Sequence, residues 1–144
     1  MILRTLARKM AVLLALMFLI PSLSFAADRK MAIQINSNDS LTQKMALISA
    51  RNLKAVLGKD KIDVELVVYG PGLSIIKSEN KNAFRVQDLM QKYGLKVSVC
   101  EGTLKGYAKR HGSEAEIISG VTRVPTGAIR LLELQEKGYT YLRP

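Results

Sequence analysis

Short apolar runs alternate along the chain with longer stretches in which apolar residues recur every three to four positions, the mark of strands interleaved with helices. Met31–Ile35 is a short β-prone run, and Asn36-Ser37-Asn38-Asp39 ends it as a turn. Ser40 then opens a helix, with Gln43 three residues on in the position that completes a capping box. The apolar stripe of this helix is Ala46, Ala50, Leu53 and Leu57, broadened by Met45, Ile48 and Val56. Lys44, Arg51 and Lys54 are placed on its outer side, and Gly58 closes it. Ile62–Tyr69 reads as a second strand, ended by Gly70-Pro71-Gly72, with a short helical turn over Leu73–Lys77. A helix over Ala83–Tyr93 is closed by Gly94, and Lys96–Val99 forms a third strand that leads directly into Cys100. Thr103–Arg110 is a short helix and Val121–Val124 a fourth strand. Thr126 caps a helix that runs through Lys137, Gly138 ends it, and Tyr139–Leu142 is the last strand.

Strands separated by helices require crossover connections, which pair strands in parallel and place helices over the sheet. The predicted fold class is therefore α/β, a three-layer α/β/α sandwich around a mostly parallel five-stranded sheet. In such sheets ligands and chemistry sit beyond the carboxyl ends of the strands. That rule selects three loops, Asn36–Asp39, Gly70–Gly72 and Cys100–Thr103. The candidate site residues are Cys100, as the reacting group, and Asn36, Gly70, Pro71, Gly72, Glu101, Gly102 and Thr103 as binding-loop residues.

The first residues follow a different pattern. Arg4, Arg8 and Lys9 make a basic segment free of acids, and Met10–Ile20 is an unbroken apolar run. A membrane-spanning helix needs about 20 such residues, so this run is short. Pro21 breaks it, and Ser24-Phe25-Ala26 puts small residues where a signal peptidase cuts. Residues 1–26 are thus expected to be a secretory signal peptide that sends the protein to the periplasm, leaving residues 27–144 as one domain. The alternative is an uncleaved anchor, and the lack of a cysteine near the cleavage point rules out a lipoprotein.

Export changes the charge balance only modestly. The whole chain has 22 Lys+Arg and 12 Asp+Glu, and loss of the three bases in the signal leaves a net charge of +7. This favours anionic partners. The bases are scattered, with no interleaved aromatic stripe, so no nucleic acid partner is expected, nor membrane association after signal cleavage.

Most catalytic constellations are excluded by count. One histidine, His111, and one cysteine, Cys100, cannot assemble an ordinary zinc site, and no cofactor is expected. His111 beside Gly112 reads as a surface residue in a loop. Gly70-Pro71-Gly72 is a fragment of a dinucleotide fingerprint, with Ile75 where its third glycine belongs, and reads as a tight turn. Cys100 cannot form an internal disulfide. At a strand end just before a helix, a thiol lies near free backbone N–H groups that lower its pKa. Lys105 would add to this and Glu101 oppose it. The other reading is a packed, inert thiol.

Tyr69-Gly70-Pro71-Gly72-Leu73, Cys100-Glu101-Gly102-Thr103-Leu104, Val124-Pro125-Thr126-Gly127 and Gln135-Glu136-Lys137-Gly138-Tyr139 occur in that order, with a terminal Pro144. This ordered set resembles the DsrE/DsrF-like family of small sulfur-relay proteins, in particular its exported single-domain branch. The resemblance implies an α/β/α sandwich that assembles into homo-trimers or homo-hexamers. It also implies a cysteine after the third strand that carries sulfur as a persulfide, and Cys100 is the matching position. Two functions follow. One is a periplasmic, sulfurtransferase-like sulfur carrier that exchanges sulfur with a thiol or persulfide partner protein. The other is a non-catalytic oligomeric binding or assembly module of the same fold.

Overall fold

The computed structural model describes residues 29–144, so the expected signal over residues 1–26 lies outside the described residues. Ten elements follow in order: β1 (Arg29–Ile35), α1 (Ser40–Leu57), β2 (Ile62–Val68), a 3-10 helix (Gly70–Ile76), α2 (Lys81–Tyr93), β3 (Lys96–Cys100), α3 (Glu101–His111), β4 (Thr122–Val124), α4 (Gly127–Glu136) and β5 (Thr140–Leu142). The sheet order is β4-β3-β2-β1-β5, and all four strand pairings are parallel. The α/β sandwich is therefore as expected.

Strand order decides which side each helix covers. From β1 to β4 the chain steps steadily toward one edge, so right-handed crossovers put α1, α2 and α3 on one face. From β4 it reverses across the whole sheet to reach β5, which puts α4 alone on the other face. Side chains alternate accordingly. Ile33, Ile35, Val64, Leu66, Val68, Val97 and Val99 point into the large core under α1, α2 and α3. On the opposite face Ala32 and Val67 pack with Leu131 and Leu134 of α4.

The first helix departs from its sequence reading in two ways. Its N-cap is Asp39, whose carboxylate accepts the Thr42 N–H at 2.7 Å, so Ser40 and Gln43 form no capping box. Gln43 is instead buried, with Nε2 donating to the Ser37 carbonyl at 3.0 Å and to Ser74 Oγ at 2.7 Å. Its Oε1 accepts from Asn82 at 3.2 Å. The buried stripe is also rotated. Met45, Ile48 and Val56 are exposed, whereas Lys54, expected on the outside, is buried and donates to the Lys59 carbonyl at 3.1 Å. Hydropathy ranks Gln43 and Lys54 as outward residues, but a polar group can be buried once it finds partners.

Elsewhere most boundaries move by a residue or two, while the short helical turn expected from Leu73 begins three residues earlier, at Gly70, as a 3-10 helix. Cys100 is the last residue of β3 and caps α3, which begins at Glu101 rather than Thr103. His111 is the last residue of α3, not part of a loop, and its ring stacks on Tyr107 at 4.1 Å between centroids. Among the described residues no helix is long and apolar enough to cross a membrane.

Candidate functional site

Adjacent strands β3 and β4 send their following helices to opposite faces, which opens a crevice where the two connections diverge. Cys100 lies at this point, opposite Val124 in the sheet register. Because Val97 and Val99 face the large core, Cys100 and Ser98 face the α4 side. Cys100 is 8% exposed, and its Sγ lies 4.0 Å from the Pro125 carbonyl, which can accept the thiol proton.

Two helices begin beside the sulfur. Cys100 is the N-cap of α3 without a side-chain cap hydrogen bond, and the Gly102 and Thr103 N–H groups, which have no partner within their own helix, lie close enough to favour its thiolate. The Gly127 N–H, from the first residue of α4, is a further nearby dipole that favours the thiolate. Burial pushes the Cys100 thiol up, but the Thr103 hydroxyl and the Thr103, Gly127 and Gly102 N–H groups outweigh it. The net effect holds the thiol below its ordinary value. Lys105 has no comparable role, because its ammonium sits 3.7 Å from the Glu101 carboxylate on the outer side of α3.

Thr103 joins two of the predicted loops, since its Oγ1 accepts the Gly70 N–H at 2.8 Å. Gly70 needs its glycine for a positive φ of 54°. Gly72 serves packing: a Cβ there would lie 2.2 Å from the Ile35 carbonyl oxygen, so the 3-10 helix could not close on the end of β1. Pro71 sits in the first turn of the 3-10 helix, where its missing N–H costs nothing. With Gly70 it lines a separate hollow of about 560 Å³ together with Lys77, Tyr107 and Arg110. Asn36 lies near the Tyr69 phenol and makes no direct contact with the thiol loop. Tyr69 packs its ring on Gly127, where an added Cβ would come within 2.5 Å of it. Burial pushes the Tyr69 phenol up, keeping it neutral.

The structure thus brings Cys100, Gly102, Thr103 and Gly70 into direct succession and leaves Asn36 outside it, beside Tyr69. It turns Glu101 outward and gives Pro71 and Gly72 roles in the neighbouring turn. Sequence reading missed Tyr69, Pro125 and Gly127 as site residues. A short strand followed by Pro125-Thr126-Gly127 marks a fourth strand-to-helix connection, but only the strand order places it beside Cys100.

A family model for the DsrE/DsrF-like family matches residues 29–144. No curated protein matches the chain. Among solved structures, a protein of unknown function from Methanobacterium thermoautotrophicum is similar, with a TM-score of 0.72 at 23% identity, covering 81% of this chain and 100% of its own. That likeness supports the fold.

Proposed function

The chain belongs to the DsrE/DsrF-like family, and on that premise we propose that it is a sulfur-relay protein whose Cys100 carries sulfane sulfur as a persulfide. The observation that carries this reading is the place of Cys100 at the carboxyl end of β3, as the N-cap of α3 and opposite Val124 of β4, with its thiol held below the ordinary value by the Thr103, Gly127 and Gly102 groups around it. The thiolate is the nucleophile in sulfur exchange, so its fraction at neutral pH sets the rate.

The Cys100 thiolate attacks the outer sulfur of a donor persulfide, R–S–S–H. The donor S–S bond breaks, R–S⁻ leaves, and Cys100–S–S–H forms with the proton retained on the transferred sulfur. An acceptor thiolate then attacks that sulfur, and Cys100 departs as the thiolate, stabilised by the same N–H groups. The cycle is redox-neutral.

A second reading, an oligomeric binding module that keeps the fold without the chemistry, is favoured by the near-complete burial of Cys100. Mass spectrometry separates the two. Polysulfide should add about 32 Da to the native protein, a reductant should remove it, and Cys100→Ser should take up none. A thiol that reacts only after denaturation would establish the second reading.

The proposal includes export to the periplasm through residues 1–26 and assembly as a homo-trimer or homo-hexamer. Exposed Ile129 and Leu132 on α4 and Tyr141 on β5 supply apolar surface for such contacts. Light scattering of the purified protein should give three subunits or more, and a monomer at tens of micromolar would refute assembly.

A further inference from the structure

The opposite end of the sheet, where the strands begin, has no part in the thiol chemistry. There the amino ends of β1, β2 and β3, the carboxyl ends of α1 and α2, and the turn joining α1 to β2 enclose a cavity of about 540 Å³. Seven bases and two acids line it.

Much of this charge has no counter-ion among the described residues. Lys96 pairs with Asp63 at 2.6 Å and Lys92 with Asp88 at 2.7 Å, whereas Lys54, Lys59 and Lys61 make no ion pair. Two helix C-termini at this end supply roughly half a negative charge each, too little to balance the excess. Lys54 is the decisive residue. It is only 5% exposed, yet one of its three N–H donors is spent on the Lys59 carbonyl and the others meet no acceptor among the described residues. Burial pushes its ammonium below the ordinary lysine value, with Asp63 and Asp60 opposing the shift only from a distance. A buried charge without a counter-ion is costly, and a bound anion offsets that cost.

We propose that this cavity binds an oxyanion of the phosphate type, with Lys54 on its floor and Lys59 and Lys61 at its rim. The turn that holds the two rim lysines is fixed by the Lys61 N–H donating to the Gly58 carbonyl at 2.9 Å, with Gly58 at a φ of 94°. The rim is therefore in place before the ligand arrives. The ligand is either a free phosphorylated solute or the phosphate of a lipid headgroup.

The test uses protein purified from cells expressing the full chain, with pyrophosphate as the soluble probe and phosphatidylglycerol vesicles as the lipid probe. Calorimetry should show saturable pyrophosphate binding that weakens as salt is raised. Lys54→Met should weaken it by about tenfold, the worth of one charge-assisted hydrogen bond. If that variant fails to fold, the exposed pair Lys59→Gln and Lys61→Gln carries the test and should weaken binding by a similar factor. Lys44→Gln with Arg85→Gln, on the α1 and α2 surface, should leave it unchanged. Vesicle binding lost in the Lys59/Lys61 variant, with pyrophosphate silent, would assign the lipid headgroup, and the converse would assign a free solute. Absence of binding to both probes, or an equal loss in the Lys44/Arg85 control, would overturn the proposal.

Discussion

The two faces of the sheet are built from the same strands but by different rules. Under α1, α2 and α3 the inward residues are branched and aliphatic, with Ile33, Val64, Leu66, Val68 and Val99 wholly buried. Under α4 the same strands bury Gln34, Glu65, Ser98 and Cys100. The Glu65 carboxylate takes two hydrogen bonds from Arg130 at 2.7 and 2.8 Å. Tyr139 donates its hydroxyl to Asp63 at 2.5 Å, and Gln34 accepts from Tyr141. Ser98 Oγ, two residues before the thiol, has no partner among the described residues. The difference teaches where each job is done. Three helices exclude water from one face and supply stability through apolar burial. A single helix on the other face leaves polar pairs to satisfy one another, and there the thiol meets the helix N-termini.

Substitutions on each face test this contrast. Leu66→Ala, on the aliphatic face, should cost about 2–5 kcal/mol in urea unfolding. The pH midpoint of Cys100 alkylation should stay unmoved, because the thiol lies on the other face. An altered midpoint would show that the faces are not independent. Arg130→Met should cost about 3 kcal/mol, since it leaves the buried Glu65 carboxylate without its partner. Adding Glu65→Leu should recover most of that loss, and a double variant no better than the single one would contradict the ion-pair account.

Smaller effects are expected nearer the sulfur. Gly127→Ala should cost about 1–3 kcal/mol by forcing Tyr69 aside, and it should raise the alkylation midpoint as the Gly127 N–H moves off the thiolate. Thr103→Val removes a hydroxyl that serves both Cys100 and the Gly70 N–H, for a stability loss of about 1 kcal/mol and a further rise in the midpoint. The smallest effect is a pH dependence. A thiol held low in the folded state adds stability that is fully present above the unfolded thiol value of about 8.5 and is lost as pH falls through the folded midpoint. The stability of the natural protein relative to Cys100→Ser should therefore increase with pH across that interval. A flat difference would mean that the thiol is not depressed.

Much of this molecule was legible from local pattern. The alternation of strand and helix, the turn at Gly70-Pro71-Gly72, the cap at Thr126 and the place of Cys100 at a strand end all follow from neighbouring residues, because hydrophobic periodicity and turn chemistry are local properties. Tertiary structure decided the rest. Gln43 looks like a surface residue until Ser74 and Asn82 arrive from more than 30 positions along the chain, and Lys54 until the turn after its own helix folds the Lys59 carbonyl back onto it. The partnership of Cys100 with Gly127 depends on β4 lying beside β3 while their helices leave to opposite faces. Strand order sets that arrangement, and order is a property of long-range pairing: a parallel strand with Thr122-Arg123-Val124 could sit at either edge until the whole sheet is assembled.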